Sequence, residues 1–440
     1  MLDREFLERR IDPIFCLVAA ALASVGILLV YSATKNEELA LSQCLWFKQI
    51  LYTFAGLLCA LFIVLLPPRA LYEASWPLYL VSLALLLYVA MGGGSVDDAK
   101  GAARWIKLPG FNLQPSEVAK VAYLLVLSRY LSGREVRLEN LFRAGVGLAT
   151  LSPLWRPLAG TSGGRRAWMW EMGLVPLFCV PFLLVHKQPD LSTALVFMAM
   201  TLTMFFWAGL PLRELFLLVS PGLSLISSLN MAVWVVFIVA LLAVLLRSRL
   251  QVWISVLILA ANLLAGGMLG DAVWNSLEDH QRSRLQTFVD PTRDDRGAGY
   301  QVRQSFVAIG SGGLTGKGYL EGSQTNLDFL PEEHTDFIFG VLGEQFGFLG
   351  CTAVLGLFFM LVSRTLSVTT RAGNPFGNFV VVGSAAILGF HVAVNVAMTV
   401  GFMPVTGLPL PFISYGGTFM MTVMCLCGLI AHVRFHSHDA

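Results

Sequence analysis

Pro331-Glu332-Glu333-His334-Thr335-Asp336 runs straight into an apolar stretch. Carboxylates and an imidazole packed this densely suit proton transfer, since one of them can take a proton while its neighbours hold the reacting group. A blander reading stands beside that one. With Thr335 or His334 near the N-cap and Asp336 in the first turn, the acids would only oppose a helix macrodipole, worth about 0.3–1 kcal/mol. Density weighs against a mere cap: Glu344 lies deeper in the same apolar run, and a Gly-rich basic stretch precedes the cluster.

Three further constellations carry polar groups at the edges of apolar runs. In KGAARWIKLPGFNLQPSEVAK (100–120), Arg104 and Lys107 precede a Pro115-Ser116 helix start, with Ser116 as N-cap and Glu117 in the first turn. Glu117 and Lys120 are three apart, share a helix face and can pair. That pair is either an interfacial salt bridge or, because ionisable groups within a span are costly, the lining of a cavity. Lys187-Gln188-Pro189-Asp190 joins two apolar runs, where Asp190 either caps the next helix or faces a site. GFMPVTGLPLPFISYGG (401–417), which includes Ser414, breaks a run with prolines and glycines. Irregular backbone in a membrane must be shielded by protein or line a wet cavity, so a hinge and a site both fit.

The stretch IGSGGLTGKGYLEGSQ (309–324) invites a phosphate-loop reading that fails in detail. A Walker A motif needs Gly five residues before Gly316 and Ser or Thr after Lys317, where Ser311 and Gly318 stand. Its amides and Lys317 could still cradle a pyrophosphate.

The elements that position these groups follow from composition. Of 440 residues, 56% are hydrophobic and 13% charged, and the mean hydropathy is +0.70. Soluble domains are about a quarter charged, so a water-soluble enzyme is excluded and the bilayer is the solvent. The fold class is an all-α, polytopic helical bundle. Net charge is +2, with thirty Lys and Arg nearly cancelling twenty-eight Asp and Glu, and says little by itself; no nucleic-acid partner is expected. Seven cysteines scattered through apolar runs make neither a disulfide framework nor a metal spacing.

Spans are expected at 14–32, 49–66, 75–91, 117–131, 172–186, 191–208, 214–229, 231–246, 252–270, 335–363, 377–398 and 409–433. The first reads as an uncleaved span that also targets the chain. With both termini in the cytoplasm, the Arg-rich 128–167 loop falls inside, as do Arg69, Arg213, Arg247, Arg364 and Arg434. That basic loop could bind anionic lipid or a cytoskeletal partner, though orientation alone accounts for its charge. Loops 92–116, 271–334 and 399–408 then lie outside. The long 271–334 loop carries too much regular apolar content for disorder, and 300–309 should form an amphipathic helix flat on the membrane.

Taken together, GAARWI, QPSEVAK, QPDLSTA, GAGYQ, IGSGGLTGKG, FLPEEHTDFIF and GLPLPFISYGG resemble the SEDS family (shape, elongation, division and sporulation proteins), in family order over nearly the whole chain. AIGSGGLTGKG and LDFLPE are more similar to its rod-shape-determining (RodA) branch than to its division (FtsW) branch. The resemblance implies a single membrane domain over 1–440, with the 271–334 loop leading to the catalytic motif. It implies peptidoglycan glycosyltransferase activity at the outer face of a bacterial inner membrane, alongside a class B penicillin-binding protein as transpeptidase partner. Lipid II, the undecaprenyl-diphosphate-linked disaccharide pentapeptide, would be the substrate, and membrane lipids surround the chain. Asp336 matches the family's essential carboxylate, Glu117 and Lys120 its buried pair, and Arg104, Lys107 and Asp190 its other outer-face motifs.

Substrate contacts are expected from those residues and from Arg303, Lys317, Glu332, His334, Thr335, Glu344 and Ser414. No metal ligand set is called for; a divalent cation (Mg or Mn) on the diphosphate remains compatible. Two departures stand out. Glu344-Gln345 occupies a place where the family often has two acids, and 214–270 is longer than a ten-span layout, as if two spans were added.

Two rival classes remain. A flippase or secondary transporter would favour midplane charges on broken helices and internal repeats, whereas here polar groups gather on one side and no repeat shows. A scaffold that only activates a transpeptidase would add no polymerase activity of its own.

Overall fold

The computed structural model describes residues 10–35, 40–96, 103–108, 111–132, 177–185, 187–188, 190–228, 230–248, 250–268, 275, 282, 284, 287, 298–327 and 332–437. Lys100, Pro189, Pro331 and nearly all of the basic 128–167 loop lie outside them.

Local chemistry starts most helices. Asp12 caps α1 (Pro13–Ala33) by accepting from the Ile14 and Phe15 amides at 3.1 and 3.2 Å. Proline stands in the first turn of α1, α3 (Pro68–Tyr88), α4 (Pro115–Leu131) and α12 (Pro375–Thr399), where its missing N–H costs nothing. The remaining helices are α2 (Leu45–Leu65), α5 (Leu191–Trp207), α6 (Leu212–Ser227), α7 (Met231–Arg247), α8 (Val252–Leu263), α9 (Ala298–Gly312), α10 (Ser323–Asn326), α11 (Ile338–Thr369) and α13 (Gly417–Phe435). Residues 177–185 are also helical. Among the described residues six helices are long and apolar enough to cross a membrane: α1, α2, α3 with its Val89–Gly93 extension, α11, α12 and α13. The chain is a polytopic helical membrane protein.

Four expectations shift. Loop 92–116 contains a small antiparallel sheet, β1 (Ser95–Val96), β2 (Ala103–Leu108) and β3 (Phe111–Leu113), the one sheet among the described residues. Gln114 rather than Ser116 holds the N-cap position of α4, because Pro115 takes the first helical place. The last span starts at Gly417 instead of 409, since 400–416 is turn and extended chain. The short 300–309 helix is longer, as α9.

Contacts divide the chain into two compact units, one of Met1–Ser132, Pro181–Thr201 and Ser283–Ala440, the other of Gly133–Val180 and Leu202–Arg282. The second unit contains α6–α8, where a polar knot is buried: Ser224 Oγ donates to Asn262 O at 2.7 Å and Asn262 Nδ2 to Ser220 Oγ at 2.9 Å. In the first unit, α12 and α13 are the most buried of the crossing helices, and every candidate site residue belongs to it.

Candidate active site

Asp336 does not sit in a helix first turn. Helix α11 begins at Ile338 with Phe337 in the cap position and no side-chain cap bond. Residues 332–337 form a separate turn, in which the amides of Thr335, Asp336 and Phe337 all donate to Glu332 O at 3.2, 3.1 and 3.3 Å. Thr335 Oγ1 donates to Glu332 Oε2 at 2.8 Å. Capping therefore does not explain Asp336. The turn is pinned from two sides: Ser414 Oγ donates to Thr335 O at 2.6 Å, Tyr415 N to His334 O at 2.9 Å, and Asn395 Nδ2 to Asp336 O at 3.0 Å. Ser414 also accepts from Leu410 N at 2.8 Å, so its hydroxyl is committed to locking this turn. Gly407 (φ 75°) brings backbone beside the carboxylate, and a Cβ there would stand 3.3 Å from Asp336 Oδ2. Burial, then the neighbouring Tyr52, push the Tyr415 phenol up to about 12, so it stays a neutral donor.

A cation lies near Asp336. Arg284 lies within electrostatic reach of Asp336, Asp190 and Arg104. Burial pulls its guanidinium down from its ordinary value, while the two carboxylates work the other way and Arg104 adds to the fall. An arginine stays charged through such a shift. Arg104 Nε donates to Gln188 O at 3.1 Å, and Gln188 Nε2 donates to Leu86 O at 2.9 Å, which ties β2 to the α5 entrance. Asp190 caps α5 through the Thr193 amide at 3.1 Å and hydroxyl at 2.9 Å. Ser192 Oγ reaches Thr406 O, binding that entrance to the broken segment before α13. Cap and site neighbour are both true of Asp190.

Glu117 and Lys120 form the expected pair at 2.8 Å, with side-chain exposures of 5% and 0%. Lys120 Nζ also lies 3.2 Å from His391 Nε2 and 5.4 Å from the Phe419 ring centre. Glu117 Oε2 is buried without a hydrogen-bond partner among the described residues.

The Gly-rich loop has a different task from a phosphate cradle. Lys317 N and Gly318 N donate to Glu344 O and Gln345 O at 3.0 and 3.1 Å, and Gly316 N to Gly312 O at 2.8 Å. Phe348 N and Leu349 N answer into Gly313 O and Leu314 O at 2.9 and 3.1 Å. The partners are opened by a kink in α11 at Gly347 (φ 62°), where a side chain would strike Gly316 and Leu314 backbone. Glycine permits this splice of loop to helix, and the amides of Lys317 and Gly318 are spent on it. Lys317 Nζ pairs with Glu344 Oε1 at 2.7 Å, so these two expected substrate contacts meet each other. Gln345 Nε2 donates to Ser32 Oγ at 2.6 Å, fastening α11 to α1.

The arrangement can be set against known proteins. The family model described as Cell cycle protein, covering FtsW, RodA and SpoVE, matches residues 13–237 and 227–439. The chain belongs to this family, the SEDS proteins. It is 32% identical to the peptidoglycan glycosyltransferase RodA of Treponema pallidum over 96% of this chain and 97% of that one. It is also 32% identical to the peptidoglycan glycosyltransferase MrdB of Escherichia coli K12, over 97% and 94%. A chain of a peptidoglycan synthase complex, solved for its coordination of polymerization and crosslinking, superposes with TM-score 0.66 at 26% identity over 98% and 99%.

Within this SEDS chain the structure brings Asp336, Arg104, Asp190, Glu332, His334, Thr335 and Ser414 to one connected region and places Lys317 with Glu344 in another cluster. Lys107 is exposed on β2, opposite Asn112. Arg303 is half-buried on α9, whose Ser305 donates to Thr399 O at 3.0 Å. Among the described residues no three His, Cys, Asp or Glu side chains converge as a metal site. Sequence reasoning missed Arg284, whose surroundings show no motif of their own. It also passed over His391 and Asn395, although two polar residues four apart in an apolar span are a usable signal.

Proposed function

We propose that this SEDS protein is an inverting peptidoglycan glycosyltransferase that extends glycan strands from lipid II at the outer face of a bacterial inner membrane during elongation. The observation that carries the mechanism is one carboxylate, Asp336, on a turn locked by Ser414, Tyr415 and Asn395 and within electrostatic reach of Arg284. Asp336 takes the proton from the acceptor 4-hydroxyl as its oxygen attacks C1 of the donor sugar. The bond from C1 to the diphosphate breaks, and lipid diphosphate leaves with the electron pair. Diphosphate is already a good leaving group, so no second carboxylate is needed as acid, and the guanidinium stabilises the charge that develops. A divalent cation, if used, would arrive on the diphosphate. Single displacement inverts C1.

The relatives' names support the activity, and the neighbouring synthase complex supports a class B penicillin-binding protein as partner. Lys120 and Lys317, both expected to face diphosphate, are less suited than Arg284. Each spends its ammonium on a carboxylate at 2.8 or 2.7 Å. Cytoplasmic termini and an outer catalytic turn follow from the charge pattern of the loops.

The test is glycan polymerisation from purified lipid II with the transpeptidase partner present and its crosslinking inhibited. Asp336→Ala, folded as wild type, should lose at least about a hundredfold in rate. Full polymer from that variant overturns Asp336 as base. If wild type makes no polymer while its partner remains competent, the enzyme reading falls.

A further inference from the structure

We infer that His391 is a positioning residue, held as the neutral Nδ1–H tautomer, that joins the buried Glu117–Lys120 pair to the backbone frame carrying Asp336; this rests on the polymerase reading above. His391 Nδ1 lies 3.1 Å from Pro409 O. A carbonyl only accepts, so the ring proton must be on Nδ1. Nε2 lies 3.2 Å from Lys120 Nζ, and an ammonium only donates, so Nε2 must offer its lone pair. The two contacts together leave one protonation state. Both groups are out of water, Lys120 at 0% and His391 at 1% exposure. The imidazole also rests on the Phe419 ring, with centres 4.9 Å apart.

Four residues along α12, one turn away on the same face, Asn395 Nδ2 donates to Leu408 O at 2.8 Å and to Asp336 O at 3.0 Å. One helix face therefore holds two consecutive carbonyls of the broken segment, the catalytic turn and the lysine. A Cβ at the neighbouring Gly407 would stand 3.3 Å from Asp336 Oδ2, so the segment carrying 408–409 runs beside the base. His391 links this frame to Lys120; Asn395 links it to Asp336. A reacting group displaced by about 1 Å can cost about a hundredfold in rate.

The experiment uses the full chain with its transpeptidase partner and lipid II. In His391→Asn the side-chain amide can still donate to Pro409 O but cannot reach Lys120. In His391→Gln the carbonyl can receive Lys120 but the donor to Pro409 is lost. His391→Leu removes both. The expected result is a fall in kcat of about tenfold for Asn and Gln and about a hundredfold for Leu, with KM within about twofold, in protein of unchanged elution and helical circular dichroism.

Nitrogen NMR of histidine-labelled wild type should show one ring, absent from His391→Asn, that is neutral with its proton on Nδ1 at pH 7. A ring protonated on Nε2, or on both nitrogens, overturns the inference, as does wild-type kcat in His391→Leu. If His391→Leu does not fold, the tautomer in wild type decides. Polymer from Asp336→Ala would instead sink the polymerase reading, and the tautomer result stands apart from it.

Discussion

Glu344→Gln should cost stability and leave substrate affinity alone. Glu344 is fully buried, and its Oε1 accepts from Lys317 Nζ at 2.7 Å, Ser323 Oγ at 3.2 Å and Gln324 N at 2.9 Å. Its Oε2 accepts from Thr325 N at 3.3 Å and Thr325 Oγ1 at 3.1 Å. This one carboxylate fixes the start of α10 and the end of the Gly-rich loop onto α11. A glutamine keeps a single acceptor. With its oxygen in the Oε1 place, its NH₂ confronts the Thr325 amide, donor against donor; the hydroxyl can turn, but the amide cannot.

A stranded N–H costs about 1–3 kcal/mol. Losing charge assistance to Lys317 adds about 1 kcal/mol, held low because that ammonium is 28% exposed and regains water. The sum is about 3 kcal/mol. Thermal or SDS denaturation in detergent, followed by helical circular dichroism, should show the fall, while KM for lipid II in the folded fraction stays within about twofold. A cycle with Lys317→Met should show coupling of about 1–2 kcal/mol. Unchanged stability in Glu344→Gln, or a tenfold rise in KM at full stability, would refute the reasoning and return the carboxylate to the substrate.

Arg284→Ala should lower kcat of polymerisation about a hundredfold, as expected for removing a donor to developing charge, and Arg284→Lys should recover part of it; equal rates in all three would show that Arg284 does not meet the diphosphate. Asp12 joins α1 to Arg364 and Arg434, at 2.6 and 2.7 Å. Burial pushes its carboxyl up, but the Phe15 amide and the two guanidiniums outweigh that and hold it below the ordinary value. A carboxyl depressed in the folded state stabilises at neutral pH, and that stability is lost as pH falls below about 4 toward the folded value. Asp12→Asn should therefore lower stability at pH 7 by about 3 kcal/mol, leaving the 7%-exposed Arg434 unpaired. The deficit should shrink in acid, and a deficit constant with pH in denaturation curves would contradict the assignment.

Apolar runs long enough to cross a bilayer were legible in the residues themselves, because without water each run must satisfy its backbone within its own helix. Helix appears at each expected span, although only 177–185 of the 172–186 stretch is described. The Glu117–Lys120 pairing and the Asp190 cap were legible too, being local: three residues apart on a helix, or three residues before an amide. Where Asp336 points was not. Local pattern favoured a first helical turn, and contacts from Asn395 and Ser414, 59 and 79 residues away, set a separate turn instead. The Gly-rich loop shows the same limit. Its composition suits a phosphate as well as a close backbone, and only the kink at Gly347 decided that the Lys317 and Gly318 amides would be consumed by α11. Arg284 carried no signal, since a cation's role depends on which carboxylates surround it in space. Sequence by itself determined the solvent, the helices and the short-range pairs, because burial and helical spacing act over a few residues. Tertiary structure decided which polar groups share a site, because charges and hydrogen bonds act on distance in space, and the chain crosses the membrane many times between them.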